Sequence, residues 1–244
     1  SAFRMDADIP LVVPEVNPED ARAHAGIIAN PNCSTIQLVA ALKPLQDAFG
    51  LERVTITTFQ SVSGTGHAAM EELHTQTADT IEARTVTPSV YPHQIAFNVL
   101  PHCDTFDDEG HTKEERKLMD ESRKILHDPE LRVAATCVRV PVYVSHSEAV
   151  NIQLGRDASP AEVRDVLASA PGVVVEDDPA ALRYPMPVTA AGRDEVFVGR
   201  IRRDPSTDHG IAMFVVADNL RKGAATNAVQ ILEVLAESGA WPNQ

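Results

Sequence analysis

Basic residues are scarce in this 244-residue chain, where 21 Lys and Arg face 35 Asp and Glu, giving a formal net charge of −14. No run of Lys or Arg is longer than two residues. Because nucleic acids and anionic membrane surfaces repel a protein of this charge, neither is expected as a partner. Apolar runs approaching 18 residues are lacking as well, so the sequence predicts no membrane-spanning helix.

Cysteine is also scarce. The chain has three, Cys33, Cys103 and Cys137, and no charged-then-apolar leader opens the sequence. An odd number of widely spaced cysteines does not suit a secreted disulfide framework, and we therefore expect a cytoplasmic protein. The metal-ligand spacings of zinc and calcium motifs are missing too, and we predict no metal site.

What is present is an ordinary globular composition, with 43% hydrophobic and 23% charged residues. The length suits one or two domains. An initiator Met is missing, because the chain starts at Ser1 and runs directly into an extended segment punctuated by Pro10 and Pro14. We therefore expect the sequence to begin inside a longer protein.

Hydrophobic periodicity and cap residues predict a mixed order of elements. Helices are predicted over 34–49, 67–84, 112–127, 160–170 and 223–238, and strands over 53–62, 131–144, 172–176, 195–203 and 210–217. Two of the helix starts carry capping boxes, Thr112 with Glu115 and Ser159 with Glu162. The segment 85–111 is predicted to be irregular. Because strict strand–helix alternation is missing, we predict an α+β fold, a sheet covered by helices.

Cys33 lies where the first predicted helix begins. The N–H groups and the positive end of a helix dipole favour a thiolate, and the same N–H groups could hold an oxyanion. We therefore expect Cys33 to be a nucleophile that alkylates faster than the other two cysteines. The alternative, a small buried hydrophobic residue, is the interpretation we favour for Cys103 and Cys137.

Two further residues on or after the predicted strand 131–144 could serve this chemistry. His146 follows the strand in a polar cluster and is a candidate base. Arg139 lies on the strand among apolar residues, and a buried guanidinium needs an anion. That anion could belong to a ligand, or Arg139 could form an internal salt bridge with one of the many acidic side chains.

The glycine-rich turn after the strand 53–62 formally matches a dinucleotide fingerprint, from Gly64 through Gly66 to Ala69. The fingerprint requires an acidic residue at the end of a second strand about 20 residues later. The sequence has no such residue there, since Thr85 to Pro88 follow the predicted helix. We interpret the turn as backbone that approaches a ligand.

Taken together, five motifs resemble those of the aspartate-semialdehyde dehydrogenase family, in the same order along the whole chain. They are NPNCST at 30–35, QSVSGTG at 60–66, TKEExK at 112–117, RVPV followed by HSE at 139–148, and DNLRKGAA at 218–225. N-acetylglutamyl-phosphate reductases typically have Asn-Pro-Gly-Cys-Tyr around the cysteine, and glyceraldehyde-phosphate dehydrogenases have Ala-Ser-Cys-Thr-Thr. Both patterns differ from the one at Cys33.

The resemblance implies a mixed, largely antiparallel sheet covered by helices, as in the catalytic domain of glyceraldehyde-phosphate dehydrogenase, with remnants of a Rossmann-type domain at both ends. It implies that 1–32 ends an NADP-binding domain whose larger part is missing, that 33–218 is the catalytic, substrate-binding and dimerisation domain, and that 219–244 returns to the NADP-binding domain. The apolar face of the last helix is then expected to lack its partner. A homodimer is expected.

The family reduces aspartyl phosphate to aspartate semialdehyde with NADPH, on the way to lysine, threonine and methionine. By this resemblance Cys33 is the nucleophile that forms an acyl-thioester, and His146 is the general acid/base. The remaining roles are substrate binding for Gln60, Glu114 and Arg139, phosphate binding for Arg4, Asn32 and Lys117, and cofactor binding for Ser63, Gly64 and Asn219.

Two alternatives to this function remain open. The chain could belong to another acyl-phosphate reductase, of the N-acetylglutamyl-phosphate type, or it could be a non-catalytic dimerisation domain. Because the resemblance implies a missing nucleotide domain, we expect the 244 residues on their own to be inactive or nearly so.

Overall fold

The computed structural model describes residues 2–239, in which a six-stranded sheet carries three helices on one face and a single helical turn on the other. The helices are α1 Cys33–Phe49, α2 His67–Ile81, α3 Lys113–Ile125, α4 Pro160–Ala168, the single turn α5 Pro187–Ala190, and α6 Thr226–Ser238. The strands are β1 Leu51–Gln60, β2 Arg132–Arg139, β3 His146–Leu154, β4 Val173–Val175, β5 Val196–Arg203 and β6 Gly210–Ala217.

The sheet has the strand order β2-β1-β3-β6-β5-β4. The outer pairs β1–β2 and β4–β5 are parallel, and the three inner pairs are antiparallel. The register places Gln60 opposite Arg139 at the end of the parallel pair, and His146 opposite Ala217. The predicted α+β class, with a mixed and largely antiparallel sheet, is therefore confirmed.

The main core lies between this sheet and helices α1, α3 and α4. Alternate residues of β1 and β3, including Ile56 and Val150, face these helices and are fully buried. Helix α1 is buried over most of its length, and its Leu38 and Leu42 lie in the same core. Because α1 is held by this packing, the residue at its first position is fixed relative to the strands.

The predicted strand 131–144 is wrong in its second half. Strand β2 ends at Arg139, and Pro141, which cannot donate a ladder hydrogen bond, follows in an irregular segment. A strand that the sequence did not reveal, β3, begins at His146. His146 therefore lies at the start of one strand rather than just after the end of another.

Most other predicted elements are confirmed within a few residues. Thr112 and Ser159 both form their capping boxes, with Glu115 and Glu162 respectively. The segment 85–111 contains only isolated bridges. The last helix differs at its start, because a π-helical turn over Arg221–Ala225 precedes α6.

The two ends of the described chain pack against each other. Ile231 and Leu235 of α6 are buried in a small cluster with Val12 and Ala21, so the expectation that this helix face lacks a partner is wrong for these two residues. Two other residues of the face, Val229 and Leu232, remain about half exposed.

A buried ion pair between Lys222 and Glu15, with a 2.6 Å Nζ–Oε2 distance, joins the same two ends. Ser1 and the last five residues of the predicted segment 219–244 lie outside the described residues. Among the helices that the structure describes, none combines the length and the apolarity needed to cross a membrane.

Candidate active site

Cys33 is the first residue of α1, and Asn32 is its N-cap. The Asn32 side-chain oxygen accepts hydrogen bonds from the backbone N–H groups of Ser34, at 3.1 Å, and Thr35, at 3.3 Å. The asparagine thus satisfies two of the donors that a helix start leaves free. The predicted oxyanion role of this turn is correspondingly reduced.

Glu114, near the start of α3, lies at the centre of a network beside Cys33. Its Oε1 accepts from Asn32 Nδ2 at 2.9 Å and from Gln60 Nε2 at 3.1 Å, and its Oε2 pairs with Lys117 Nζ at 3.1 Å. Gln60, the last residue of β1, also donates to Ser34 Oγ at 3.0 Å. The carboxylate is therefore almost buried and fully partnered.

This network changes the expected state of the thiol. Burial, and next the Glu114 carboxylate, raises the pKa of Cys33 to about 12, against smaller lowering effects from Ser34 and Arg139. The prediction of a thiolate was wrong for this state of the protein, because the thiol is buried and a carboxylate faces the sulfur. Neither feature is visible from a cysteine's place in a helix.

The predicted phosphate-binding residues lie on the α3 side of the network. Arg4 NH1 pairs with Glu121 Oε1 at 3.1 Å, and Glu121 Oε2 accepts from the Asn32 backbone N–H at 2.7 Å. Lys117 shares its ammonium between Glu114 and Asp104. The structure thus brings both cations to the surroundings of Asn32, each paired with a carboxylate.

His146 is fully buried, and its two ring nitrogens differ in their contacts. Nδ1 lies 3.1 Å from the backbone nitrogen of Ser61, whose N–H can only donate, so Nδ1 accepts and the ring proton is assigned to Nε2. Nε2 has no partner among the described residues. Burial, and next the Arg139 guanidinium, lowers the pKa of His146 to about 3, so the ring is neutral at physiological pH.

Arg139, the last residue of β2, is nearly buried and lacks a carboxylate partner. Its NH1 donates to the backbone oxygen of Ser61 at 2.7 Å, and its Nε has no partner among residues 2–239. Arg139 forms no ion pair with any of these residues, so the alternative of an internal salt bridge is wrong. A buried, unpaired cation is costly and is suited to receive an anion.

Two glycines allow these groups to meet. A Cβ placed on Gly64 would lie 3.0 Å from Arg139 NH1 and 3.2 Å from His146 Nε2, and a Cβ on Gly223 would lie 2.9 Å from Cys33 Cβ. Backbone without a side chain therefore passes directly against both the histidine and the cysteine. The turn at Gly64, which formally matches a dinucleotide fingerprint, therefore lies against Arg139 and His146.

Asn219 joins the remaining predicted residues to the histidine. Its side-chain oxygen accepts from Ser61 Oγ at 3.1 Å, from Ser63 Oγ at 3.1 Å and from the Ser145 backbone N–H at 2.9 Å. Ser61 Oγ also lies 3.0 Å from His146 Nδ1. The residues predicted to touch a cofactor are thus part of the same polar network as His146.

The sequence did not reveal three residues that this network uses. Ser61 lies within the motif QSVSGTG at 60–66, but only the structure shows that its backbone N–H donates to His146 Nδ1. Glu121 lies on α3, a helix rich in charges of both signs, where nothing in the sequence distinguishes it from the other acidic residues. Gln37 lies four residues after Cys33, and its Nε2 donates to the His146 backbone oxygen at 3.3 Å.

Comparison with known proteins gives one consistent result. The family model described as "Semialdehyde dehydrogenase, dimerisation domain" matches residues 42–222. Aspartate-semialdehyde dehydrogenase of Aquifex aeolicus is 56% identical over 242 residues, which cover 98% of this chain and 71% of that protein.

Solved structures agree. That of aspartate semialdehyde dehydrogenase II from Vibrio cholerae complexed with ASA has a TM-score of 0.93 at 49% identity, covering 96% of this chain and 70% of that one. That of the Candida albicans enzyme with NADP has a TM-score of 0.74 at 28% identity, covering 98% and 70%. Together with the geometry around Cys33, these findings show that the chain belongs to the aspartate-semialdehyde dehydrogenase family of oxidoreductases.

Proposed function

We propose that this chain carries the catalytic site that reduces aspartyl phosphate to aspartate semialdehyde with NADPH, in the pathway to lysine, threonine and methionine. The observation that carries the proposal is the pair of opposite charges near Cys33. Arg139 is a cation with no ion-pair partner among residues 2–239, and Glu114 is an anion whose charge also acts on the Cys33 thiol. A substrate with an α-carboxylate and an α-ammonium group matches these two charges.

We assign the two ends of the substrate accordingly. Arg139 binds the carboxylate through the donors that the protein leaves free, and Glu114 binds the ammonium group in competition with Lys117. Gln60, which reaches from β1 to both Ser34 and Glu114, orients the reacting carbonyl. Holding both ends of the substrate places its acyl carbon in a fixed position relative to the cysteine.

The first chemical step is attack of Cys33 Sγ on the acyl carbon. A carbon–sulfur bond forms, the carbon–oxygen bond to phosphate breaks, and the thiol proton leaves with the released phosphate as hydrogen phosphate. Arg4, Asn32 and Lys117 surround the departing phosphate. Both cations exchange a carboxylate partner for the phosphate, and both are already in place before the phosphate leaves.

His146 donates in this step. Its Nε2–H has no partner among residues 2–239 and can bond to the carbonyl oxygen as negative charge develops there. Acceptance of a proton at Nε2 would require Nδ1 to carry the ring proton, which would break the bond from the Ser61 backbone N–H. The neutral imidazole is therefore a hydrogen-bond donor first, and a base only after the ring moves.

Ser63, Gly64 and Asn219 are the residues that would hold the nicotinamide cofactor. The fit rests on the missing side chain at Gly64 and on the unpartnered His146 Nε2 close to it. NADPH, when bound, supplies the hydride that converts the thioester to the aldehyde. The Candida albicans relative solved with NADP supports this assignment.

We propose that residues 33–218 form the catalytic, substrate-binding and dimerisation domain of a cytoplasmic homodimer. We also propose that 1–32 and 219–244 belong to the nucleotide-binding side. Support for the second assignment comes from the packing of α6 against the N-terminal segment. That segment also contributes Leu11 and Val13 to the main core, so it is firmly attached to the catalytic unit.

The dimer surface that we propose is the sheet face opposite α1, α3 and α4. Thr57, Phe59, Ala149 and Phe214 lie on it half-exposed, with the two phenylalanine rings 6.4 Å apart. The family model's name supports self-association. We expect sedimentation equilibrium to give twice the mass of one chain and Ala149→Arg to give monomers. An intact dimer in Ala149→Arg would place the interface elsewhere.

An activity assay tests the proposed function. The protein expressed from its full reading frame is given phosphate, NADP⁺ and an aldehyde, and NADPH formation is followed by absorbance. We expect turnover with aspartate semialdehyde and little with N-acetylglutamate semialdehyde or glyceraldehyde phosphate. Preference for either of the latter would overturn the substrate assignment, and no turnover with any of them would support a non-catalytic dimerisation domain.

A further inference from the structure

Glu148 is a fully buried acid that the proposed chemistry does not use. It lies two residues after His146 on β3, and side chains two residues apart in a strand face the same side of a sheet. Neither of its carboxyl oxygens has a hydrogen-bond partner among the described residues. Its cross-strand neighbours, Thr58 of β1 and Val215 of β6, carry no charge.

Gln37 of α1 is the polar side chain that interacts with Glu148. One of the two N–H donors of its Nε2 bonds to the His146 backbone oxygen at 3.3 Å. Its Oε1 is buried without a partner. An unpartnered acceptor on Gln37 therefore lies beside a carboxyl group that also lacks partners.

An ionised Glu148 would leave this arrangement unsatisfied. A carboxylate offers only acceptors, and among the described residues neither oxygen of Glu148 has a hydrogen-bond partner or an ion-pair partner. A protonated carboxyl group has one O–H donor, which matches the free Oε1 of Gln37. Burial, the main influence, raises the pKa of Glu148 well above its usual value and outweighs the smaller, lowering influence of the Gln37 amide, in agreement with a neutral acid.

We propose that Glu148 is a neutral carboxylic acid that donates its O–H to Gln37 and, through Gln37, positions His146 relative to the helix that carries Cys33. This inference rests on the proposed function only for its kinetic consequence. Glu148 is a positioning residue, since it contacts neither substrate nor cofactor in the proposed site.

The linkage follows from the periodicity of α1. Gln37 is one helical turn after Cys33, so its bond to the His146 oxygen joins the nucleophile's helix directly to the start of β3. The residue before His146, Ser145, has a φ of +77°, a backbone conformation that needs support from its surroundings. The bond from Gln37 supplies support just after that position.

Two substitutions of Glu148 separate positioning from bulk packing. Glu148→Gln keeps a donor for Gln37 without a titratable group, and Glu148→Met keeps the length of the side chain without a donor. We expect Glu148→Gln to keep the kcat, the KM and the pH profile of the parent enzyme. We expect Glu148→Met to lower kcat by about 100-fold with little change in KM, since misplacement near 1 Å has that effect.

Gln37→Met is the matched control on α1. It breaks the same linkage, so it should lower kcat to a similar extent, and the double variant with Glu148→Met should be no worse than either single variant. A purely structural role would change thermal stability in all variants without this kinetic equivalence. Additive losses, or a loss in Glu148→Gln as large as in Glu148→Met, would overturn the proposal.

Infrared spectroscopy tests the protonation state without any assay of activity. We expect a protonated-carboxyl C=O band at pH 7 in the parent protein that is missing in Glu148→Gln. The melting temperature of Glu148→Gln, relative to that of the parent protein, should also increase as pH rises above about 4.5. The reason is that Glu148 of the parent then ionises in the unfolded state but not in the folded state.

A missing band, or a gap in melting temperature that does not change with pH, would overturn the neutral acid. Because neither readout needs turnover, the proposed function can fail in the enzyme assay while this inference stands, and the reverse is also possible.

Discussion

Arg139 and Glu114 are the two opposite charges of the site, and they differ in how well the protein satisfies them. Glu114 has three partners, from Asn32, Gln60 and Lys117, at 2.9 to 3.1 Å. Arg139 has one, the Ser61 backbone oxygen, and its Nε has none among the described residues. The anion is therefore saturated, whereas the cation is not.

This difference indicates how the site selects its ligand. A buried charge without a counter-ion has lost its hydration and gained no ion pair in exchange. An incoming carboxylate therefore lowers the free energy of the Arg139 guanidinium. An incoming ammonium group only replaces one cation by another at Glu114. We infer that Arg139 provides most of the binding free energy, whereas Glu114 discriminates between substrates.

The largest expected effect is that of Cys33→Ser. This substitution removes the sulfur atom, whose pKa is influenced by both Arg139 and Glu114. We expect turnover to fall by about 10⁴-fold or more, since removal of a nucleophile has effects of this size or larger. The melting temperature should change little, because Cys33 is only partly buried in the free protein. Steady-state rates and calorimetry measure the two effects, and near-normal turnover would exclude Cys33 as the nucleophile.

Arg139→Met should have the next largest effect. Loss of one partner of a buried charge pair costs about 3–5 kcal/mol, so kcat/KM should fall by about 10² to 5 × 10³-fold. Folding stability should not fall to the same extent, because no carboxylate of the described chain loses its partner.

Arg139→Lys is the matched control for this variant. It keeps the charge but not the planar fork, so it should recover only part of the loss. A wild-type kcat/KM in Arg139→Met would contradict the role of the unpaired cation.

Glu114→Gln should increase the reactivity of the Cys33 thiol, whereas the two preceding substitutions lower activity. Because Glu114 raises the pKa of Cys33, removing its charge increases the thiolate fraction, and iodoacetamide should react about tenfold faster for each pH unit by which that pKa falls. Asp104→Asn is the control, since Asp104 contacts Lys117 rather than Glu114. Equal alkylation rates in the parent enzyme and Glu114→Gln would contradict this coupling.

The smallest effect is the pH response of His146. With a pKa near 3, its folded form stays neutral as pH falls from 6.5, while the unfolded chain takes up a proton, so this residue's contribution to stability is lost across that range. NMR of the His146 ring should show a neutral imidazole with its proton on Nε2 between pH 5 and 8. A protonation midpoint inside that range would contradict the lowered pKa of His146, and a ring proton on Nδ1 would contradict the tautomer assigned from Ser61.

The sequence predicted the site's residues better than it predicted their state. The start of α1 at Cys33, the capping box at Thr112 and the close approach of Gly64 all follow from local patterns, and the structure contains them. The thiolate was a wrong expectation, because burial and, next, the carboxylate of Glu114, 81 positions away along the chain, raise the pKa of the Cys33 thiol. Local patterns carry no information about such tertiary neighbours.

Strand β3 was missed for a related reason. Its inward positions begin with His146 and Glu148 and become apolar only at Val150, so the alternation that marks a half-buried strand is broken where the function lies. The apolar residues before Ser145 were instead predicted to continue the strand 131–144, although Pro141 indicated that this strand ends earlier.

The most direct test of the account compares aspartate semialdehyde with succinate semialdehyde, which lacks only the amino group, in the parent enzyme, Glu114→Gln and Arg139→Met. We predict that Glu114→Gln loses most of the preference for the amino substrate, while Arg139→Met keeps the preference and loses kcat/KM on both. An unchanged preference in Glu114→Gln would contradict the assignment of the two charges to the two ends of the substrate.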